Sequence, residues 1–342
     1  MKTKSIFLAI LFVTIATTTQ AANLKIMTYN TLNLFDTKHD TGKHDYTYLP
    51  KSKKSSSEVQ NYCKSKRGHR KNECLNLDWN SSVLKSKVLE LAKVIKEANP
   101  DVIVFEEVEN KNVLNILVKT GLNGLGYNNV ILIEGQDTRG IDVGMISKIK
   151  PFKTPSYHPI DLKGIPNKGR KNKLTRGILE VNFKINNKVV TVLGNHWPSQ
   201  GNSDECRMKA GEVLYNAINP SDDIIIATGD FNTSREDKLN GINEYLLNSN
   251  RKFTFIDSEI EHFSKFRNSS VHKGTYFFGG RWGTLDKIFI LNNSRDIKPL
   301  WSSYNVISKS YMINKNGPIR FNPRTKKGFS DHLPALINIE IN

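Results

Sequence analysis

Acids, amides and histidines in this chain gather where apolar runs end. Asn30 and Asn33 follow "LKIMTY", and Glu106 and Glu107 follow "DVIVF". Asn195 and His196 follow "VVTVLG"; Asp230 and Asn232 follow "DIIIATG". Asp286 lies in "TLDKIFI", and Asp331 and His332 stand just before "LPALI". Strand ends that feed loops are where a rigid sheet presents chemical groups. Carboxylates and an amide are hard oxygen ligands, suited to Mg²⁺, Mn²⁺ or Ca²⁺. Two histidines without a cysteine cluster argue against a structural zinc. A divalent ion beside a histidine–carboxylate pair is what phosphodiester hydrolysis needs: the ion offsets charge on the phosphate, and the base strips a proton from water. Each group alone has a plain explanation, such as an Asx turn at Gly-Asp-Phe-Asn or a structural role for His196. Their recurrence at successive strand ends is what favours chemistry.

The elements that position them alternate between strand-like and helix-like pieces. "SSVLKSKVLELAKVIKEANP" puts Leu84, Val88, Leu91 and Ile95 on one helical face and stops at Asn99-Pro100. "NKNVLNILVKTG", "ECRMKAGEVLYNAI" and "EDKLNGINEYLLNS" also read as helices. Strands are expected at "NLKIMTYNTLNLF", "DVIVFEEV", "NNVILIEG", "IDVGMISK", "GILEVNFKI", "KVVTVLGNHW", "DIIIATGDFN", "GTLDKIFILN" and "PALINIEI". Residues 38–80 read as a polar, irregular insertion. The pattern predicts an α/β fold in which two packed sheets are each covered by helices, in one domain over 22–342.

"MKTKSIFLAILFVTIATTTQAANL" has the layout of a secretory signal peptide over 1–21: two lysines, a short apolar run, then small residues. The run is too short to span a bilayer comfortably. The product is expected to be secreted, extracellular or periplasmic, without a membrane anchor, and monomeric. The formal net charge of +17 includes only Lys2 and Lys4 from the leader. Such a field draws polyanions: nucleic acid, anionic headgroups or acidic polysaccharide. The basic residues are densest over 49–74 and from 147 to 176. Cys63 and Cys74 bracket a basic loop and in an oxidising compartment would close it, stabilising it by about 3 kcal/mol. Cys206 is left over as a free thiol.

The motifs "MTYNTLNLFD" (27–36), "PDVIVFEEVEN" (100–110), "DVGMISK" (142–148), "TRGILEV" (175–181), "GNHWPSQ" (194–200), "ATGDFN" (227–232), "GTLDKIFI" (283–290) and "FSDHLP" (329–334) come in a recognisable order. Together they resemble the endonuclease/exonuclease/phosphatase superfamily with its deoxyribonuclease I-like fold, and more narrowly its secreted bacterial nucleases. The resemblance implies a four-layer α-β-β-α sandwich of two mixed β-sheets. It implies a metal held by Glu107, with Asn30 and Asp331 beside it. His332 would activate water, oriented by Asp286. Asp230 and Asn232 would contact the scissile phosphate, and His196 would be a phosphate ligand or leaving-group acid. Arg176 and Asn195 would bind phosphate. Glu106 stands where the family often has Gln, and "NHWPSQ" departs from the commoner Asn-His-Leu-Lys-Ser form.

The implied activity is metal-dependent hydrolysis of DNA, with RNA as a further candidate. The superfamily also contains phosphoinositide phosphatases and sphingomyelinases, so a phospholipid diesterase is the alternative. Net charge favours nucleic acid. "TYFFGGRW" (275–282), the nearest candidate for a membrane-dipping hairpin, is expected to form core or the wall beside the phosphate.

Overall fold

The computed structural model describes residues 20–169, 174–234, 236–292 and 297–342. The expected leader lies outside the described residues up to residue 19, as do residues 170–173 of the second basic stretch. In chain order the elements begin with β1 (Ala22–Leu34), α1 (Ser57–Ser65), α2 (Gly68–Asn76), α3 (Ser81–Ala98), β2 (Val102–Val108), α4 (Lys111–Gly121), β3 (Asn129–Leu132) and β4 (Asp142–Ser147). Then come β5 (Ser156–His158), β6 (Ile178–Ile185), β7 (Lys188–His196), α5 (Asp204–Asn216), β8 (Ile224–Asp230), β9 (Phe255–Asp257) and α6 (Ser258–Lys265). β10 (Tyr276–Phe278), β11 (Arg281–Gly283), β12 (Asp286–Leu291), β13 (Ile297–Val306), β14 (Ile313–Asn314), β15 (Gly317–Pro318) and β16 (Ala335–Ile341) complete the chain.

Two six-stranded mixed sheets form the centre, with orders β13-β16-β1-β2-β4-β3 and β5-β6-β7-β8-β12-β9. Each has one parallel pair, β1 with β2 and β7 with β8, among antiparallel neighbours. Central strands buried on both faces read as continuous apolar runs, as in "DIIIATG". Val104, Val181, Val192 and Ile226 belong to the core that joins the sheets. A Cβ on Gly194 would meet Val104 and Val143 of the facing sheet at 3.0 Å, so the sheets press closest near the end of β7.

Helix α3 shows how the outer layers attach. Asn80 caps it, accepting from the N–H groups of Ser82 and Val83, and Asn99 ends it with φ 46° before Pro100. Leu84, Val88, Leu91 and Ile95 are buried on the first sheet. Removing a side chain such as Leu91 would cost about 2–5 kcal/mol. Helix α5 covers the second sheet through Cys206, Ala210 and Leu214; Cys206 is buried and unpaired.

Three expectations change. Residues 38–80 are ordered rather than irregular. α1 and α2, with two short 3-10 turns, enclose a small core of Tyr46, Leu49, Val59, Cys63 and Cys74. The Cys63–Cys74 disulfide forms, and its few apolar residues had been masked by the surrounding lysines and arginines. "EDKLNGINEYLLNS" yields only a π-helical turn at Asn243–Leu247. The turn opens at Gly241, where a Cβ would stand 2.7 Å from the Arg207 carbonyl oxygen. "TYFFGGRW" is a hairpin of β10 and β11 whose Phe278 is 76% exposed. Its inward side chain Trp282 packs on the core, so only half of that expectation holds.

Candidate active site

Sheet topology explains why residues far apart in sequence meet. Parallel neighbours finish at the same edge, so β1 and β2 deliver Asn30 opposite Glu106, while β7 and β8 deliver His196 opposite Asp230. β12 runs antiparallel to β8 and therefore begins where β8 ends, pairing Asp286 with Asp230. β16 runs antiparallel to β1, so the segment before it brings His332 to the end of β1. Ser330 fastens this arrival: its Oγ donates to the Asn30 carbonyl (2.7 Å) and accepts from the His332 N–H (3.1 Å).

The backbone at these ends is unusual. Leu32, Asn33, Glu107 and Asn232 have φ of 54°, 60°, 60° and 48°. Left-handed conformations cost non-glycine residues energy and cluster at functional sites. A register shift between Glu106 and Val108 turns Glu107 outward while Glu106 points into the core. Gly229 is required by close approach: with φ 139°, a Cβ there would stand 2.0 Å from the Asn195 carbonyl oxygen.

His332 and Asp286 form a dyad. His332 Nδ1 donates to Asp286 Oδ2 at 2.7 Å, with both side chains buried. Burial alone would lower the imidazole pKa. Asp286, by charge and hydrogen bond, and then Asp230 and Asp331 outweigh it and hold His332 well above its ordinary range. Tyr276 lies against the imidazole, with ring centroids 4.7 Å apart.

Asp230 accepts from the Asn232 N–H (2.9 Å), Asn232 Nδ2 (3.0 Å) and Asn30 Nδ2 (3.1 Å). Burial raises its carboxyl to about 7, with His332 opposing and Asp286 reinforcing the rise. His196 Nε2 is 3.7 Å from Asp230 Oδ2, and His196 Nδ1 is buried without a partner. Burial, followed by Arg176 and Arg139, pushes this imidazole well below its ordinary pKa, so it is neutral. Among the described residues, Asp230, Asp286 and His332 have ligand atoms all within 4.8 Å of one another. Within that cluster His332 Nδ1 is already engaged by Asp286.

The acids expected to hold a metal stand on the other side. Burial and then Asp331 raise the Glu107 carboxyl. Arg320 Nη2 is 3.4 Å from Asp331 Oδ2. Two oxygen donors whose charges oppose each other fit a hard divalent cation, which would relieve that repulsion. Asn30 is turned differently from expectation. Its Nδ2 donates to Asp230 and its Oδ1 accepts from the Leu32 N–H, so it ties Asp230 to the turn at the end of β1.

Asn195 does not present itself to a phosphate. Its Nδ2 donates to the Leu193 and Thr228 carbonyls (2.8 and 3.4 Å) and its Oδ1 accepts from Trp197 Nε1 (2.9 Å). The side chain holds β7 to β8 and seats Trp197, a structural role that replaces the phosphate-binding one. Arg176 does reach the site: Nη2 donates to Trp197 O (2.8 Å), Nη1 to Asp137 Oδ2 (3.3 Å), and its buried Nε has no partner.

Arg139 escaped the sequence reading. Its Nε and Nη2 grip Asp137 at 3.1 and 2.8 Å, and Glu107 lies within range of its charge. Asp137 thus couples Arg139 to Arg176. The available signal was position: "TRG" stands immediately before the β4 run, another strand end. Lys87 was missed too. It is buried on α3, and its Nζ donates to the Leu32 carbonyl at 2.6 Å. Burial lowers it to about 7, while Asp331 and Glu107 pull upward.

A family profile described as Endonuclease/Exonuclease/phosphatase family matches residues 25–341. The chain belongs to the endonuclease/exonuclease/phosphatase family. Among solved structures, a family member from Bacteroides thetaiotaomicron is similar over 95% of this chain and 100% of its own, with TM-score 0.57 and 14% identity. A humanized D. rerio TDP2 covers 93% and 98%, with TM-score 0.55 and 13% identity. D. rerio TDP2 complexed with single strand DNA product covers 93% and 99%, with TM-score 0.54 and 12% identity. At these identities the likeness is one of fold. No curated protein matches the chain significantly. In this family member the two packed mixed sheets with flanking helices form the deoxyribonuclease I-like sandwich that the sequence motifs implied. The site lies along the edge where both parallel pairs end.

Glu106, which departs from the family's usual Gln, is fully buried. Burial and then Asp286 hold its carboxyl well above its ordinary range, against the Thr28 hydroxyl that donates to it at 2.8 Å. Raising the carboxyl favours its protonated form, which has an amide's shape and lack of charge.

Proposed function

We propose that this chain is an exported, divalent-metal-dependent phosphodiesterase that hydrolyses nucleic acid, DNA foremost, with Mg²⁺ the expected ion. The observation that carries the reading is the His332–Asp286 dyad at 2.7 Å, set beside Asp230 and Asn232 on one flank and Glu107 and Asp331 on the other. The residues have separable tasks. Asp286 fixes the His332 tautomer by accepting the hydrogen bond from Nδ1–H, which leaves Nε2 to accept a proton from water. Asn232 and Asn30 hold Asp230 beside this base. The neutral His196, next to Arg176, is suited to hydrogen-bonding a phosphate oxygen. Arg176 and Arg139 supply fixed positive charge for a phosphate, oriented by Asp137. A cation held by Glu107 and Asp331 supplies charge for the phosphate oxygens and offsets the acidic field that retains the His332 proton.

Nucleic acid is favoured as substrate by the net charge of +17 and by the two arginines at the site. The TDP2 structure with a single strand DNA product is a fold-level parallel in the same direction. The phospholipid reading has one observation in its favour, the exposed Phe278 on a hairpin next to His332. Its tip is Gly279-Gly280, which offers no side chain for a membrane. No helix among the described residues is long and apolar enough to cross one. Export rests on the leader-like first 21 residues, and cell fractionation tests it. The deciding assay incubates the protein with plasmid DNA, RNA and sphingomyelin vesicles, each with Mg²⁺ or EDTA. Cleavage of nucleic acid with Mg²⁺ alone is expected; cleavage of lipid alone overturns the substrate assignment.

A further inference from the structure

The insertion over 38–80 is a separate folded unit with a one-sided charge. Between residues 49 and 74 it carries eight lysines and arginines against Glu58 and Glu73. Lys64, Arg67, Arg70 and Lys71 are all exposed around the corner where α1 meets α2. None of these four makes an ion pair or hydrogen bond among the described residues. The unit's apolar groups, Val59, Cys63, Cys74 and Leu75, turn inward to their own small core. The disulfide between Cys63 and Cys74, with Cα atoms 5.3 Å apart, ties the two helices below that corner.

Helical stability explains Lys64, in the last turn of α1, but not the cations at the start of α2. The first turn of α2 contains no acid and its N-cap, Arg67, makes no side-chain cap. Cations there oppose the helix dipole, which favours acids at that end. The arrangement concentrates positive potential outward, as an anion-binding surface requires.

The unit is braced against the metal side of the site. Tyr48 at its base stacks on Phe35 (4.2 Å) and meets Trp79 edge-on (5.3 Å). Trp79 in turn contacts Phe321 (6.2 Å), beside Arg320, which reaches Asp331. Glu73 of α2 and Glu107 of the site both lie within charge range of the half-buried Tyr48. At the other end of α2, a cleft lined by Leu77, Asp78 and Pro323 separates the unit from a loop that carries the exposed Arg324 and Lys327.

We propose that the α1–α2 corner is a phosphate-gripping surface that holds nucleic-acid backbone on the Glu107–Asp331 side of the site, remote from the bond being cleaved. This rests on the nucleic-acid reading above. A membrane-surface helix would show large apolar residues beside its cations. The outward residues of this corner are polar or charged, which favours a phosphate backbone over a lipid surface.

The test uses the mature chain, oxidised, with Lys64, Arg67, Arg70 and Lys71 all changed to Gln. DNA affinity is measured in a His332→Ala background so that the probe stays intact. The neutralised protein should bind a 30-base-pair duplex at least about tenfold more weakly near 0.1 M salt. Four lost phosphate contacts would lower the slope of log affinity against log salt by about 3 to 4. With His332 restored, hydrolysis of bis(4-nitrophenyl) phosphate should stay within about twofold. Neutralising Arg324 and Lys327 instead should give a smaller loss of the same kind, with salt slopes falling by about 2. An unchanged affinity and slope in the first variant overturn the proposal while leaving the proposed activity intact. A parent protein that cleaves the small diester but neither binds nor cuts nucleic acid overturns the substrate reading itself. Loss of binding to phosphatidylserine vesicles with DNA binding unaltered overturns the proposal in favour of a lipid surface.

Discussion

Asn30 Nδ2 donates to Asp230 Oδ2 at 3.1 Å, a bond that joins β1 in one sheet to the end of β8 in the other. The same amide accepts from the Leu32 N–H, so it also holds the left-handed turn after it. Asn30 therefore couples Asp230 to the backbone turn that follows it in β1. Asn30→Ala should weaken stability by about 1–3 kcal/mol, the range for a lost hydrogen bond to a charged partner. Turnover should fall at least about tenfold because Asp230 loses one of three donors and can rotate. Circular dichroism melts and initial rates on plasmid check both parts. A variant with normal rates would show that the bond is structural alone.

His332 is held above its ordinary range in the folded chain, and this fixes the sign of two pH effects. The dyad's contribution to stability is fully present below the unfolded imidazole value of about 6.5. It is lost as pH rises through the raised folded value. Asp286→Asn removes the charge behind the shift, so it should destabilise the apo protein more at pH 6 than in alkaline buffer. The His332 titration, followed by NMR of labelled histidine, should move to lower pH. Activity should fall by about 10²–10⁴-fold, the usual share of a positioned base. A titration that does not move would remove Asp286 from this role.

Glu107 gives a prediction of the same sense at lower pH. Burial and Asp331 raise its carboxyl, so the metal-free folded chain holds a proton there more tightly than the unfolded chain. Metal-free stability should rise as pH falls through the interval between the ordinary glutamate value and the raised one. Adding Mg²⁺ at 100 times its dissociation constant should add about 2.7 kcal/mol. Glu107→Gln removes one of the two opposed charges, so without metal it should melt above the parent at pH 8. It should also lose most of the Mg²⁺-dependent stabilisation. Thermal melts with Mg²⁺ and with EDTA separate these effects; an equal Mg²⁺ response in the variant would falsify the placement of the ion.

Much of this site was legible because strand ends are legible. An apolar run flanked by an acid, amide or histidine can be recognised without knowing which strands will pair: Asp230, His196 and Glu107 follow such a run, and His332 precedes one. What lay hidden depends on tertiary placement. Lys87 occupies a helical position next to the apolar face of α3, where a charged side chain reads as solvated. Its burial follows from the kink at Leu32, whose carbonyl it reaches. Arg139 is oriented by Asp137, a bond no periodicity announces. Asn195 looked functional because it precedes His196, yet its amide is engaged by Leu193 and Trp197. Strand β13 was overlooked since Pro299 interrupts it; the proline is tolerated because β13 lies at the edge of its sheet.

The hairpin before Asp286 separates the two substrate classes most directly. Tyr276 touches the His332 ring, and Phe278 lies nearly parallel to Tyr276, at 11° and 6.4 Å, with most of its surface in solvent. Arg281, paired across the hairpin with Phe278, is exposed as well. An exposed ring beside a guanidinium suits an unstacked base next to its phosphate, where stacking contributes about 1–3 kcal/mol per base. Phe278→Ser should therefore reduce affinity for single-stranded DNA by about 1 kcal/mol or more, measured by fluorescence anisotropy in a His332→Ala background. Hydrolysis of bis(4-nitrophenyl) phosphate by the Phe278→Ser chain should be unchanged, because the ring stands outside the dyad. A lipid-facing ring would behave otherwise: the same substitution would lower binding to sphingomyelin vesicles and leave single-strand affinity where it was.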